Sequence, residues 1–352
     1  MRKSEGTVMV SYQEVYEQLR DDIRNGTFVG KLPSIADFTK KYRVSHNTIK
    51  KVLDRMKAQH FIYGMQGKGV FVNDAALHSP AFQKNIVFYL HIDTYRNPFF
   101  LKAFSRLRQM LEEHQSIVQL VTSPRQLSEI SENADVVISS ISENEERLAI
   151  ESLVDSRKII FFNTNFKDSH CVNTDNVLGG YLAMEYLYRQ GHRKIGLISR
   201  DLKIKGCYFD LRHQGCLQFA AEHPDLVLVN SEMKINLGVD DEFCARQATI
   251  KLFKTAPDIT AVFAFTDILA LGVVSYCHEN DIRIPAEVSL IGFDNRDFSS
   301  MLSPPLTTVQ ENTEELIRLV MDRIDSVVCG DNDLDIITVA PFLVERDSVR
   351  TI

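Results

Sequence analysis

Residues 32–72 read LPSIADFTKKYRVSHNTIKKVLDRMKAQHFIYGMQGKGVFV, and the reading of this stretch decides the fold of the N-terminal region. Ser34 with Asp37 three residues on is a capping-box-like helix start, and the helix beginning there is expected to run to about Lys41. A tight turn through Tyr42-Arg43-Val44 leads to Ser45, a second N-cap, and to a helix ending near Gln59. Two short capped helices joined by such a turn make a helix-turn-helix. Ile49, Val52, Leu53 and Met56 share one face of the last helix. An earlier helix packs against that face: Tyr12, Val15, Tyr16, Leu19 and Ile23 recur at helical spacing until Asn25-Gly26 stops them. Asn47, Lys50 and Lys51 then point outward, with His46 on the flank.

The N-terminal end of a recognition helix is the part that enters a major groove. Asn pairs in bidentate fashion with adenine, Lys reaches guanine acceptors or phosphate, and Ser45 and Thr48 are placed for phosphate. Helical pattern alone would also fit a plain three-helix domain with a polar face. The residues after the last helix argue for DNA: 61–65 and 70–72 read as strands around Gln66-Gly67-Lys68-Gly69, a hairpin in the place of a wing. The G-K-G of that tip lacks the spacing of a phosphate-binding loop and opens no helix. The DNA-contact candidates are Ser34, Ser45, His46, Asn47, Thr48, Lys50, Lys51, Gln66, Gly67 and Lys68.

The charge distribution agrees. Residues 1–75 hold 13 Lys/Arg against 8 Asp/Glu, a net +5, whereas the remainder holds 27 against 39, a net −12. A basic patch thus sits on an acidic chain of net charge −7. The length of 352 residues suits a small domain plus a large one. The six cysteines show neither C-x-x-C pairs nor zinc-like spacing, which suggests free thiols in a reducing compartment. No apolar leader occupies the first 30 residues and no run reaches spanning length, so the expectation is a cytoplasmic protein without membrane contact. The organisation expected is a head at 8–74, a linker at 75–85 carrying Pro80, and a body at 86–352.

In the body, apolar runs alternate with helical patterns. Strands are expected at 86–91, 117–121, 135–139, 158–162, 194–198, 260–265 and 288–293, and helices at 98–113, 176–190, 211–221 and 267–279. That alternation predicts an α/β body of two doubly wound parallel-sheet lobes, joined to a small α+β winged helix-turn-helix head. Ligands of such sheets sit beyond the carboxyl ends of the strands. Asn97-Pro98-Phe99-Phe100, Asn163, Arg212, Thr266-Asp267 and Asp294 all come after strands. An arginine, a carboxylate, amide and hydroxyl groups and two phenylalanines suit a polyol, with paired hydrogen bonds to hydroxyls and a ring over the C–H face. Each has a plainer alternative: Phe99 and Phe100 as core, Asp267 and Asp175 as helix caps, Arg212 as an ion-pair partner, Asp294 as a turn residue.

I-R-N-G-T-F at 23–28, L-P-S at 32–34, V-S-H-N-T-I-K at 44–50 and Q-G-K-G-V-F-V at 66–72 resemble the GntR-type winged helix throughout. That family usually reads V-S-R-x-T-V-R with two DNA-contacting arginines, and many members carry an arginine early in the second helix. Here His46, Lys50 and Ala36 stand in those places, so a bidentate guanidinium is replaced by different readers. V-N-T-D-N-V-L-G-G-Y at 172–181, R-Q-G-H-R-K-I-G-L-I at 189–198, R-H-Q-G at 212–215, D-I-L-A-L-G at 267–272, I-P-A-E-V-S-L-I-G-F-D-N at 284–295, S-P-P-L-T-T-V at 303–309 and P-F-L-V-E-R-D-S at 341–348 resemble LacI-type regulator cores in order. The resemblance implies a two-lobed periplasmic-binding-protein fold, with Phe99, Phe100, Asn163, Tyr208, Arg212, Thr266 and Asp294 in ligand-contacting places. Thr266 stands where asparagine is commoner, and 115–160 is compressed relative to that pattern. The combination is similar to the arabinose-repressor hybrid class, and residues 74–85 carry no hinge-helix motif of the ordinary LacI kind.

The function implied is a homodimeric regulator of carbohydrate-utilisation genes, most simply a repressor released from operator DNA by a neutral monosaccharide. An activator, or a sensor of a non-sugar molecule, is the alternative. Only one strong cationic candidate, Arg212, lies among the cleft residues, and a phosphosugar would want more. An enzyme is disfavoured by the lack of G-x-G-x-x-G after a strand, of metal-spaced ligands and of a nucleophile elbow, and no cofactor or metal is expected. His192 and His213 are read as surface or capping groups rather than bases. A transport binding protein would share the body but not the head.

Overall fold

The computed structural model describes residues 12–24, 27–58, 61–73, 84–90, 98–141, 144–164, 166, 168–200, 207–233, 241–328 and 334–352. The chain divides near residue 84 into two compact units. The expected linker lies outside the described residues up to position 83, as do Asn97 and Cys329, and Asn85 already belongs to the first strand of the body.

The head is built from α1 (Tyr12–Arg24), α2 (Ile35–Tyr42), α3 (His46–Ala58) and the antiparallel hairpin β1 (Ile62–Met65) and β2 (Gly69–Val72). Its core is formed by Val15, Tyr16, Leu19, Ile23, Ile49, Val52, Leu53 and Met56, the faces that helical spacing singled out, joined by Phe38 of α2 and closed by Ile62 and Val72 from the hairpin. Ser34 and Asp37 form the capping box: Asp37 N donates to Ser34 Oγ at 3.2 Å and Ser34 N to Asp37 Oδ2 at 3.1 Å. Arg43 in the left-handed conformation (φ 55°) ends α2 and makes the turn of the helix-turn-helix. The segment before α2 adds a further edge to the hairpin. Leu32 N donates to Val70 O at 2.8 Å and Val72 N to Gly30 O at 2.7 Å, a pairing for which the local sequence carries no signal.

Among the described residues the body has two six-stranded sheets, each from interleaved parts of the chain. The first lobe contains β3 (Asn85–Leu90), α4 (Pro98–Glu113), β4 (Ile117–Val121), α5 (Pro124–Ile130), β5 (Val136–Ser140), α6 (Asn144–Glu151), β6 (Ile159–Phe162) and β7 (His170–Thr174). The chain then passes into α7 (Asn176–Arg189), β8 (Lys194–Arg200), α8 (Tyr208–Glu222), β9 (Val227–Met233), α9 (Asp241–Thr255), β10 (Ala261–Ala264), α10 (Asp267–Glu279), β11 (Ser289–Phe293) and β12 (Thr307–Gln310). It returns to the first lobe for α11 (Thr313–Val328) and β13 (Ile336–Val339), and ends in the second with β14 (Phe342–Val344). The strand orders are β13-β7-β6-β5-β3-β4 and β14-β12-β11-β10-β8-β9. From β13 through β7, β6 and β5 to β3, and from β12 through β11, β10 and β8 to β9, neighbours run parallel. β14 pairs with β12 in the antiparallel sense.

β3, β5, β6, β8, β10 and β11 are buried over nearly their whole length, as parallel strands covered by helices on both faces must be. These are the runs that hydropathy located within one or two residues. β7, β9, β12, β13 and β14 were not among the expected strands. They are short, carry polar residues such as His170, Asn173 and Thr307, or lie toward a sheet edge. The helix expected from Leu211 begins three residues earlier, at Tyr208, so Arg212 lies in its second turn rather than at its start.

One helix pair positions the central residue of the body. α7 and α8 cross so closely that a Cβ on Gly180 would stand 1.9 Å from Arg212 O, and one on Gly215 would stand 1.9 Å from Val177 O. Only glycine allows two backbones this near, and the contact fixes where Arg212 begins its side chain.

Candidate functional site

In the head, the N-terminus of α3 presents its polar residues to solvent. Ser45 is the N-cap: its Oγ accepts from Thr48 N at 3.1 Å and lies 2.8 Å from Thr48 Oγ1. His46, Asn47, Lys50 and Lys51 are exposed and Thr48 is half-buried, while Ile49 and Val52 between them face the core. A cavity of about 410 Å³ is lined by Tyr12, Ser45, Asn47, Thr48 and Lys51. Tyr12 is the member that sequence reasoning assigned to the apolar stripe alone; its position at the start of α1 brings it beside α3. Gln66, Gly67 and Lys68 are exposed at the hairpin tip, with Gly67 and Gly69 at φ 72° and 112° and Lys68 N donating to Met65 O at 3.0 Å. Ser34 differs from the rest. Its hydroxyl donates to Asp37 Oδ2 at 2.6 Å, so its own donor is engaged within the capping box.

In the body, a buried charged cluster forms where the strands end and the chain passes between lobes. Arg212, 2% exposed, is its centre. Nε donates to Asn176 Oδ1 at 2.9 Å and Nη1 donates to Phe265 O. The guanidinium lies 3.3 Å above the Phe293 ring centroid and 5.1 Å from that of Tyr208. Two carboxylates face it, Asp294 Oδ1 3.7 Å from Nη1 and Glu311 Oε1 3.7 Å from Nη2. Asp294 also accepts from Arg296 Nε at 3.2 Å. Glu311, 3% exposed, ties this group to the other lobe: Asn163 Nδ2 and Thr174 Oγ1 donate to its Oε1 at 2.9 and 3.0 Å. Asn163 Oδ1 in turn accepts from Thr174 N at 3.1 Å.

Backbone conformation explains some of the residue types. Asn163, Asp294 and Asn295 have φ of 53°, 110° and 53°, a region that Asn and Asp tolerate better than other non-glycine residues. The chain turns sharply as β6 and β11 end, and those turns aim Asn163 and Asp294 into the cluster.

Asp267 was expected to cap α10, but the cap is Thr266, whose Oγ1 accepts from Leu269 N at 3.3 Å. Asp267 is fully buried instead and fastens the loop after β11: Arg296 N and Ser299 Oγ donate to Oδ2 at 2.8 and 2.5 Å, and Thr308 Oγ1 to Oδ1 at 2.7 Å. Gly292 leaves room for it, since a Cβ there would stand 2.2 Å from Oδ1. Asp175 does cap α7, through Leu178 N at 2.9 Å. Phe100 is 9% exposed and packs in the first lobe's core with Phe104 and Phe162, the plainer of its two alternatives. Phe99 is half-buried at the edge of that core, stacked on Phe162 at 6.3 Å. Tyr208 is half-buried beside Arg212. His192 is not a surface group: it is fully buried, bonded to Thr260 Oγ1 and Arg350 O, and burial pushes its pKa down to about 4.

Burial governs the titration of the cluster as well. It pushes Glu311 up to about 7 against the opposing pull of Arg212, and pushes Asp267 up to about 7 with help from the nearby Asp294. Asp294 is raised by burial too, opposed by Arg212 and Arg296. Glu311 escaped the sequence reading because β12 did; a carboxylate directly after a recognised strand would have been singled out with the others. Among the described residues no group of His, Cys, Asp and Glu could hold a metal ion, and no helix is long and apolar enough to cross a membrane.

Comparison with known proteins finds a match in each unit. Residues 11–72 match the family described as bacterial regulatory proteins, gntR family, and residues 184–349 match the periplasmic binding protein-like domain. The repressor PurR of Vibrio atlanticus is 33% identical over 178 residues, 49% of this chain and 51% of that protein. The repressor CytR of Escherichia coli K12 is 31% identical over 159 residues, 43% and 42%. The chain thus spans about half the length of the curated relatives it matches. A ribose-bound LacI-family regulator from Enterococcus faecium covers 76% of this chain and 100% of its own at a TM-score of 0.64 and 23% identity. A periplasmic binding protein/LacI regulator from Alkaliphilus metalliredigens with D-xylulofuranose gives 76%, 99%, 0.62 and 24%. These two likenesses are of fold. The chain thus joins a head that matches the gntR family model to a body that matches the periplasmic binding protein-like domain and shares the fold of LacI-family regulators, the combination that its motifs resemble.

Proposed function

We propose that this chain is a cytoplasmic, ligand-responsive transcription repressor that binds operator DNA as a homodimer and is released by a neutral monosaccharide. The observation that carries the reading is the Arg212 cluster, to which both lobes contribute through Glu311, Asn163 and Thr174. A small molecule engaging such a cluster has different contacts in an open and a closed body, and that difference in affinity is what shifts a two-state protein. Phe99, Asn163, Tyr208, Arg212, Thr266 and Asp294 would contact the effector, with Phe100 supporting Phe99 from the core. On DNA, Asn47, Lys50 and His46 would read base edges, and Ser45, Thr48, Lys51, Gln66, Gly67 and Lys68 would meet backbone or phosphate; Ser34 would contribute its backbone position more than its hydroxyl.

The test pairs two measurements. Fluorescence anisotropy with duplexes from the region upstream of the protein's own reading frame should show salt-dependent binding. A thermal-shift panel of pentoses and hexoses should reveal one that raises the melting temperature and weakens DNA binding at the same concentration. Absence of DNA binding, or a sugar that stabilises the protein without changing DNA affinity, overturns the proposal.

A further inference from the structure

Among the described residues, the network joined to Arg212 by ion pairs and hydrogen bonds sets Arg212 and Arg296 against Asp267, Asp294 and Glu311, with Arg200 further out beside Tyr208. We propose that Glu311 is a charge filter of the effector site: ionised, it over-neutralises Arg212, so that the cleft takes uncharged polyhydroxylated effectors and refuses anionic ones. The inference rests on the proposed effector site and deepens it by naming what excludes the wrong class of ligand.

The geometry singles out Glu311 rather than Asp294. Asp294 is shared between Arg212 and Arg296 and stays paired whatever happens to Arg212. The ion-pair partner of Glu311 is Arg212. At 3.7 Å neither carboxylate is hydrogen-bonded to the guanidinium, so their effect on it is coulombic. Nε and Nη1 are engaged by Asn176 and Phe265, one face is covered by Phe293, and Nη2, the nitrogen nearest Glu311, makes no hydrogen bond among the described residues. An anion seated at Nη2 would therefore stand beside the Glu311 carboxylate, in surroundings too dry to screen the repulsion. A ligand hydroxyl would not.

Among the described residues, the neighbours that act on Glu311 are Arg212 on α8, Asp294 after β11, and the uncharged Asn163 and Thr174; Asp267, Arg296, Tyr208 and Arg200 lie further out. Because burial holds Glu311 near 7, the filter is set at pH 8 and released at pH 5.5. Glu311→Gln releases it at every pH while keeping an oxygen to accept from Asn163 and Thr174.

Sulfate is a suitable probe, since its charge does not change across this range. Thermal shifts are read on the full chain at low millimolar sulfate, against chloride at matched ionic strength. Wild type at pH 8 should show no sulfate-specific shift, whereas Glu311→Gln at pH 8 and wild type at pH 5.5 should both melt several degrees higher with saturation in the millimolar range. A Glu311→Gln protein that responds at pH 8 no more than wild type overturns the proposal. Should that variant fail to fold, equal sulfate shifts of wild type at both pH values, or none at either, overturn it instead. A sugar that releases DNA while sulfate has no effect on Glu311→Gln would remove the filter and leave the regulator. A sulfate effect without any response to sugars or DNA would do the reverse.

Discussion

The head and the body place their candidate site residues in opposite environments. In the head, Asn47, Lys50, Lys51 and Lys68 stand in water on a scaffold whose core lies entirely behind them. In the body, Arg212, Asp294 and Glu311 are sunk between lobes and held by one another. The difference suits the proposed partners. DNA offers a long array of exposed charge and base edges, so a donor on a helix needs little beyond a fixed helix. A small uncharged ligand offers few contacts and must be recognised where water is excluded, which demands buried polar groups and partners to keep them there. A site of the first kind is insulated from the core, and a site of the second kind is part of it.

Three experiments put that contrast at risk. The largest effect is expected from Gly215→Ala, whose new Cβ must push α7 and α8 apart and carry Arg212 with them. Overpacking of this kind costs typically about 1–3 kcal/mol, and contact with backbone places this case at about 3. Calorimetry should show the body transition falling while the head keeps its DNA affinity; an unchanged melt would show that the helix contact is looser than the structure has it. Next, Asn47→Ala should weaken operator binding by about 1–3 kcal/mol, roughly 10-fold to over 100-fold, with no change in melting temperature. A lowered melt would mean that the head's reading face also holds its fold together.

The third effect, the smallest when taken per pH unit, is a slope of stability with pH. Glu311 and Asp267 are raised in the folded state from about 4.5 and 3.8 to about 7, so the folded chain binds protons that the unfolded chain releases. Their contribution is therefore present below the unfolded values and is lost as pH rises from about 4 to 7, at up to about 1.4 kcal/mol per pH unit for each carboxyl. His192 acts in the opposite sense: lowered to about 4, it contributes stability above about 6.5 that is lost as pH falls toward 4. Denaturant melts of wild type and Glu311→Gln between pH 4.5 and 7.5 isolate the first effect, because His192 is common to both. Parallel curves would show that Glu311 titrates normally.

The head was almost wholly legible. Its caps, its turn, the stripe of Val15, Tyr16, Leu19 and Ile23 and the glycines of the hairpin are local signals, each acting within four residues. What was missed there, the pairing of Gly30–Leu32 with β2 and the approach of Tyr12 to α3, depends on segments distant in sequence. In the body, the fully buried strands announced themselves as apolar runs, whereas edge and polar strands did not. Arg212, Asn163 and Asp294 were found because they come after recognised strands. Thr266 rather than Asp267 caps α10 because a hydroxyl and a carboxylate side by side can both cap a helix, and only burial told them apart.

Residue order was enough to fix the division into a basic head and an α/β body, the helix-turn-helix of the head, and the strand ends after which Asn163 and Asp294 come. These depend on periodicity, capping and turn chemistry, which are written in neighbouring residues. Packing in three dimensions was needed to bring Glu311, 99 positions beyond Arg212, to face it across the crossover, to bury His192, and to make glycines from two helices meet. Coulombic pairing, desolvation and backbone contact act through space, and a sequence pattern carries no distance between residues so far apart.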